Sequence, residues 1–590
     1  MKKELTLIMP GENFRIMIIA ALIGLLAGGM NIIFRTVLEG THQLLMVGGY
    51  QLLGIAKGGL HLLLLPLIPA AGMVLLIPLS LLFPGEVNGY SFPRFLRQVN
   101  LEAGIIRLRT IFAKIMACSL TIGSGGSAGV EGPIAQICGT IGSQLGQRLR
   151  VSGNQMKVFI AAGCAGGVAA IFNAPIAGVF FAAEIILLGT YTISSFAVLV
   201  VASAMATVLS RAYYGPSPAF PIPDYSLINP LVELPLYSLL GLIIGLLAVA
   251  HIHIFYWVRD RFTGLNLHPQ LKPVLGALGV GVMAIAFPQV MGDGYHYIGE
   301  VLTEGGVLWV MLALVLFKMV ATALTLGSGG AGGVFAPALF IGAVAGGSFG
   351  TVAHQLLPHH TANPGAYAAV GIGAFLAAAT HAPLTAIFLL FEMTGNYLII
   401  IPIMLCSMIG TTVARKIKPE SIDTVDLGRE GIDLHEGREI AVMKSIKVGR
   451  VVNEEVDFIS EQANADQLLQ VFSMTKDSFY FPVIDETGRM TGIVSMQDAK
   501  NVLHDRELRL DARVGDICTR QVAVLTPDDN LYTAMTLFDL KGLEEIPVVE
   551  ATDNRWVLGM LKRREVIAAY NKEVIKKGIS DHTASIRLQP

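Results

Sequence analysis

The feature that most constrains this chain is a glycine-rich stretch that occurs twice. Gly123-Ser124-Gly125-Gly126-Ser127-Ala128-Gly129-Val130-Glu131-Gly132-Pro133 carries five glycines and one carboxylate inside a strongly apolar region. Gly327-Ser328-Gly329-Gly330-Ala331-Gly332-Gly333-Val334-Phe335-Ala336-Pro337 repeats it with identical spacing, seven of eleven positions matching. Glycines at that density let the backbone approach a ligand closely and turn successive N–H groups toward it. A helix starting near Glu131 adds the positive end of its dipole to the same spot. Within a membrane, that combination describes a resting place for an anion, with Glu131 as a charge that competes for it.

The repetition extends to both sides. Lys114 and Lys318 each stand nine residues before their motif, and Asn173-Ala174-Pro175 with Glu184 parallels His381-Ala382-Pro383 with Glu392. In both, the glutamate follows the proline by nine residues. A duplicated apolar half, with glycine-broken segments at corresponding positions, is the pattern of a transporter fold built from repeats with its site between them.

The rest of the chain fits a membrane protein. Of 590 residues, 53% are hydrophobic and 15% charged, well above the apolar share of an average soluble domain. Apolar segments succeed one another from about Phe14 to Val413. Phe14–Phe34 and Leu60–Phe83 are long enough to span the roughly 30 Å hydrocarbon core. The run before Gly123 and the run between Pro337 and His354 read as shorter and glycine-punctuated, which is tolerated at membrane depth only inside protein or beside a cavity. Arg415, Lys416 and Lys418 place the end of the last apolar run in the cytoplasm. Met1-Lys2-Lys3-Glu4 precedes the first run without a clear cleavage site, so no removable signal peptide is read. The net charge of −2 argues against nucleic acid as a partner. Five scattered cysteines without a C-x-x-C pair argue against a disulfide framework or a zinc site. His251/His253 and His359/His360 fit interfacial or satisfied histidines better than metal ligands, and no metal site is expected.

The expected organisation is a cytosolic N-terminus over 1–13, a membrane domain over 14–420 and a linker over 421–441. A soluble pair over 442–575 and a tail over 576–590 follow. The pair reads as two similar α/β halves. The first has a helix near Ala463–Met474, a strand Phe479–Asp485, a second strand Met490–Ser495 and a helix from Gln497. The second has a helix Leu531–Leu540, a strand Ile546–Glu550, a loop Ala551–Arg555, a strand Trp556–Leu561 and a helix from Arg563.

Charged side chains inside apolar segments cost several kcal/mol each and are functional candidates by default. Glu184 and Glu392 close apolar helices at matching positions, where a structural carboxylate accepting backbone hydrogen bonds is the leading reading. Lys114 and Lys318 are either structural or electrostatic, and Lys114 would lower the barrier for an entering anion. Glu131 differs because Phe335 fills its repeat position; the competing reading for it is a helix cap only.

With these residues in hand, a resemblance can be stated. Gly129-Val130-Glu131-Gly132-Pro133 resembles the G-R-E-G-P signature of the CLC family of chloride channels and proton-coupled chloride exchangers. Gly332-Gly333-Val334-Phe335-Ala336-Pro337 looks like that family's G-G-x-F-x-P motif, and the soluble pair resembles the CBS-domain tail of many members. The resemblance implies a polytopic helical membrane protein with inverted repeats, a homodimer with one anion path per subunit, and a cytosolic CBS pair. It makes Glu131 the gate, occupying an anion site until protonated or displaced. It gives the anion to backbone around Gly129, Val130, Gly132, Val334 and Phe335.

Four departures stand beside the match, one of them Val130 in the place of the signature's arginine. The family's first pore motif reads G-S-G-I-P, whereas Gly89-Tyr90-Ser91-Phe92-Pro93 stands here, so Tyr90 takes the place of a serine whose hydroxyl touches the anion. The family's S-I-Y-T segment is Ser421-Ile422-Asp423-Thr424, and a carboxylate facing an anion would repel it. Asp423 is therefore expected to point away or to pair with a cation, with Tyr90 supplying the hydroxyl from the other side. Finally, the inner glutamate that passes protons in exchangers, directly after the structural glutamate, is Ile185 here.

An isoleucine cannot shuttle protons, which favours passive chloride conduction; a chloride/proton antiporter of the same fold is the alternative. A magnesium channel would need acidic pore residues and carboxylate clusters that are not read here, and a fluoride-selective relative is left open by Tyr90 and Asp423. In the soluble pair, Gly492-Ile493-Val494-Ser495-Met496-Gln497-Asp498 resembles the CBS nucleotide motif. It implies one adenine nucleotide held by the Ser495 hydroxyl and the Asp498 carboxylate; Lys562 and Glu565 replace those residues in the second half. No cofactor is expected to be required, and the protein is expected in the cell membrane with its CBS pair in the cytoplasm.

Overall fold

The computed structural model describes residues 12–216, 225, 228–434, 438–474, 478–504 and 512–576. Almost all of the expected N-terminus over 1–13, and the tail over 576–590 beyond Lys576, lie outside the described residues. The chain divides into two compact units, Met1–Asp426 and Leu427–Pro590.

The first unit is helical and twice repeated. Its first eight main helices are α1 (Glu12–His42), α2 (Leu67–Leu82), α3 (Phe92–Leu101), α4 (Arg109–Gly123), α5 (Glu131–Leu149), α6 (Gly153–Phe172), α7 (Pro175–Phe181) and α8 (Ile193–Tyr214). The next eight follow the same order. They are α9 (Pro230–Gly264), α10 (Lys272–Ala286), α11 (Tyr295–Thr303), α12 (Leu308–Gly327), α13 (Phe335–Leu356), α14 (Pro364–Thr380), α15 (Pro383–Thr394) and α16 (Ile400–Ile417). Eight helices among the described residues are long and apolar enough to cross a membrane. Pro175 and Pro383 open α7 and α15, where a missing N–H costs nothing. The preceding helices end alike, at Asn173 and His381, both with φ 58°.

The run after Pro337 departs from expectation. It is one continuous helix, α13, rather than a short broken segment, and most of it is buried in protein. Its glycines serve packing, not breakage. A Cβ on Gly346 would collide with the Tyr367 carbonyl, and one on Gly371 of α14 with the Gly342 carbonyl. Close helix contact through small residues is how membrane helices gain dispersion energy without a hydrophobic drive.

Residues 421–426, read from sequence as the start of the linker, pack into this unit. Ile422 N–H donates to the Ala379 carbonyl at 3.0 Å, and the Tyr256 hydroxyl donates to the Ile422 carbonyl at 2.8 Å. Arg259 grips Asp426 with two nitrogens at 2.5 and 2.7 Å.

The second unit has two α/β halves. In the first, β1 (Ile459–Ser460) pairs parallel to β2 (Tyr480–Ile484), which pairs antiparallel to β3 (Met490–Ser495). Helices α17 (Ala465–Met474) and α18 (Met496–His504) flank them. The second half consists of α19 (Leu531–Lys541), β4 (Glu545–Glu550), β5 (Asp553–Lys562) and α20 (Arg563–Lys576). β5 starts earlier than expected because Glu550 pairs directly with Asp553, turning the anticipated loop into a tight hairpin. The two cores exchange their leading segments: Val442, Ile446 and Val448 pack with the second half, and Val514 with the first.

Candidate functional site

Both glycine-rich stretches end in helices whose N-cap residues make no side-chain cap bond. Val130 precedes α5 and Val334 precedes α13, and neither offers an oxygen to the orphan N–H groups of the first turn. The two stretches meet. Gly129 and Gly333 form an isolated antiparallel bridge, with N–H to carbonyl distances of 2.8 Å in both directions. Ser127 N–H donates to Thr325 Oγ1 at 3.0 Å, and Ala331 N–H donates to Thr121 Oγ1 at 3.1 Å, the same contact made from each repeat. Such reciprocity is what a two-fold relation between the repeats requires. Gly125 and Gly329 occupy matching left-handed positions, φ 101° and 122°, that favour glycine.

Glu131 lies fully buried at this junction. Its Oε2 accepts the Ala336 N–H at 3.2 Å, and its Oε1 accepts the Tyr295 hydroxyl. The carboxylate of the first repeat therefore sits on the helix end of the second, filling a donor position that would suit a free anion. It caps the helix of the other repeat, α13, as well as meeting its own backbone N–H. Gly129 makes room for it: a Cβ there would fall on the carboxylate and 2.8 Å from the Ala336 nitrogen. Val334 and Phe335 are buried beside it, and the Phe335 ring meets Phe181 edge-on at 5.6 Å. A Cβ added to Gly132 would stand 3.4 Å from Gly333 Cα.

A cavity of about 930 Å³ opens next to this junction, and Arg35, His42, Val130, Asp293 and Tyr295 contribute to its wall. Tyr295 was not among the residues singled out from sequence. The signal for it was the Gly292-Asp293-Gly294 turn between apolar helices, which places a phenol at the start of α11.

One turn further along α5 lies a second polar cluster. Ser91 Oγ donates to Gln136 Oε1 at 2.9 Å and accepts from Lys114 Nζ. The buried Lys114 thus belongs to the loop carrying Tyr90. The Tyr90 hydroxyl donates to Asp423 Oδ1, so its proton is engaged by a carboxylate rather than offered to an ion. Asp423 is buried, neither turned away nor paired with a cation among the described residues, and its Oδ2 has no hydrogen-bond partner. A carboxylate is a strong acceptor for a phenol.

Glu184 and Glu392 act as mirror images. Glu392 accepts the N–H groups of Ile176 (2.9 Å) and Ala177 (2.7 Å), at the start of α7. Glu184 accepts those of Leu384 (3.0 Å) and Thr385 (2.7 Å), at the start of α15. Each glutamate caps the helix of the opposite repeat. Phe180 and Phe388 stack between them, 4.4 Å apart and 4° from parallel. Ile185 lies buried in a π-helical turn over Ala182–Ile186. Lys318 is also structural in its contacts, donating to the carbonyls of Val290 (3.0 Å) and Gly292 (2.9 Å).

In the second unit, the Ser495 backbone N–H and hydroxyl both donate to Asp498 Oδ2, at 2.8 and 2.7 Å. The two residues thus cap the start of α18 by binding one another. At the matching place in the second half, Lys562 Nζ stands 3.7 Å from Glu545 and donates to Ser478 Oγ at 3.2 Å. Burial pushes the Glu545 carboxyl above the ordinary range, against the pull of Lys562.

Fold and site together define a multi-pass membrane protein of two inverted repeats, with paired helix ends at its centre, followed in the chain by a cytoplasmic α/β pair. The chain belongs to the family described as voltage gated chloride channel, whose pattern matches residues 71–415, and CBS domains match 448–505 and 514–572. A putative chloride channel protein ClcB-like from Ralstonia nicotianae is 35% identical over 344 residues, covering 58% of this chain and 80% of the relative. The structure of a slow cyanobacterial Cl−/H+ antiporter superposes with TM-score 0.64 at 26% identity, over 70% of this chain and 97% of that one. A eukaryotic CLC transporter shares the fold over 94% of this chain and 98% of its own, with TM-score 0.62 at 20% identity. Anion transport across a membrane is accordingly the activity of this protein.

Proposed function

We propose that the chain conducts chloride through the junction of α5 and α13, with Glu131 as the gate. The observation that carries this reading is the seat of the Glu131 carboxylate on the Ala336 N–H, where it and a halide would compete for one donor. Protonating or displacing that carboxylate frees the donor and opens the path. Gly129, Val130, Gly132, Val334 and Phe335 would supply the remaining backbone surface for the ion, and Lys114 a favourable potential on the inner side. Ile185 at the inner proton position makes the transport channel-like. Two subunits would each carry one path, and one adenine nucleotide at Ser495 and Asp498 would act on the membrane unit through the CBS pair.

The test is chloride efflux from proteoliposomes holding the purified protein. Glu131→Gln should raise efflux at neutral pH and remove its dependence on acidification; unchanged efflux and unchanged pH dependence would end the gate reading. A second reading, chloride/proton exchange, is favoured by Asp423, a buried acid with one oxygen unpartnered, and by the likeness to a Cl−/H+ antiporter. Reversal potentials across a chloride gradient, with and without a pH gradient, separate the two: a shift with pH means exchange.

A further inference from the structure

We infer that Tyr295 is a positioning residue for Glu131: its hydroxyl latches the carboxylate onto the start of α13, and the gate opens only when that hydrogen bond breaks. The inference rests on the reading of Glu131 as the gate. Three observations carry it.

The contact itself is direct, from a phenol to a fully buried carboxylate oxygen. Each neighbouring element gives the Glu131 carboxylate a donor: Ala336 of α13 holds Oε2 and Tyr295 of α11 holds Oε1, beside a contact from its own backbone N–H. A hydrogen bond to an ionised group is among the stronger ones a protein makes.

The loop that presents Tyr295 is pinned. Lys318, itself fully buried, donates to the carbonyls of Val290 and Gly292, and its Nζ stands 4.8 Å from the centroid of the Phe340 ring. Gly292 N–H donates to the Gly125 carbonyl of the first glycine-rich stretch at 3.2 Å. Asp293 Oδ1 accepts the Tyr295 N–H at 3.2 Å and so closes the first turn of α11. Gly294, at φ 84°, makes the turn, and a Cβ there would collide with Phe340. The buried lysine of the second repeat thus fixes the phenol to within hydrogen-bonding reach of the carboxylate of the first.

Tyr295 also borders open space. It lines the 930 Å³ cavity together with Val130, the residue before Glu131. The charged groups around the hydroxyl are Glu131 from α5, Asp293 from the loop and Arg35 from α1.

The experiment compares Tyr295→Phe, Glu131→Gln and the double variant in proteoliposome chloride efflux between pH 4.5 and 7.5. Tyr295→Phe keeps the ring and removes only the donor. It should raise neutral-pH efflux about tenfold, the lower end expected for losing a hydrogen bond to a charged group. The gain should shrink toward pH 4.5, and Tyr295→Phe should add nothing on top of Glu131→Gln, because one element cannot be released twice. If Glu131→Gln changes efflux while Tyr295→Phe leaves rate and pH profile at the parent's values, the latch is wrong and the gate stands. If neither variant changes efflux, the gate reading falls and the latch with it. Incorporating 3-fluorotyrosine at position 295, a stronger donor of nearly the same shape, covers the case in which the phenylalanine variant does not fold. It should slow neutral-pH efflux, and unchanged or faster efflux would overturn the inference.

Discussion

At the scale of single residues, the junction turns on groups that have no room to be anything else. Gly129 sits against the Glu131 carboxylate, so Gly129→Ala should push that carboxylate off the Ala336 N–H. Chloride efflux at neutral pH should then approach that of Glu131→Gln, as a flux assay on both variants would reveal. Tyr90 and Asp423 form the second such pair. Tyr90→Phe strands a buried carboxylate and should cost roughly 1–3 kcal/mol of stability. Adding Asp423→Asn should return part of that loss, so the two changes together cost less than their sum. Thermal denaturation of the four proteins, followed by the fraction that stays monodisperse, measures the coupling. Glu131 was legible in the sequence because it breaks the symmetry of a duplicated motif. The Tyr90–Asp423 contact was not: two departures from the family pattern were visible, but sequence does not say that residues separated by |i−j| = 333 meet.

At the scale of elements, the reciprocal caps explain why short helices persist inside a membrane. α7 and α15 begin with prolines and have no side-chain cap of their own. Glu392 and Glu184 supply the missing acceptors from the other repeat. Glu184→Ala and Glu392→Ala should each lower stability by about 1–2 kcal/mol, the usual cost of a lost cap. Their midpoints should fall by similar amounts, since the contacts are equivalent, while the pH dependence of chloride efflux stays put; unequal losses would contradict the two-fold relation. The positions of both glutamates, their equal spacing from proline and their structural character followed from sequence. Which backbone they serve did not, because periodicity along one chain carries no record of what crosses between its halves. The same limit made α13 look broken: its glycines interrupt the pattern of side chains, yet they exist to let α14 approach.

At the scale of the molecule, the membrane unit closes on itself at Asp426. Arg259, holding Asp426 and lying 4.3 Å from the centroid of the Tyr256 ring, anchors the segment that follows the last span. A chain ending after Leu434 should therefore still insert and carry chloride, whereas one ending after Ile417 should lose thermal stability, because Ile422 and Asp426 leave with it. Size-exclusion profiles before and after heating distinguish the two. The order of the units could be read from composition alone, but the exchange of leading segments between the CBS cores could not. The cross-repeat caps also set a schedule for biogenesis. Glu184 emerges from the ribosome with the helix that donates to it still unmade, and the Thr385 that satisfies it lies 201 residues further on. At about 5–20 residues per second, the newborn half waits roughly 10–40 seconds in the lipid with an acid unanswered. During that interval the nascent chain depends on the insertion machinery to shelter its open face, and a slow codon run between the halves would prolong its exposure to quality-control proteases.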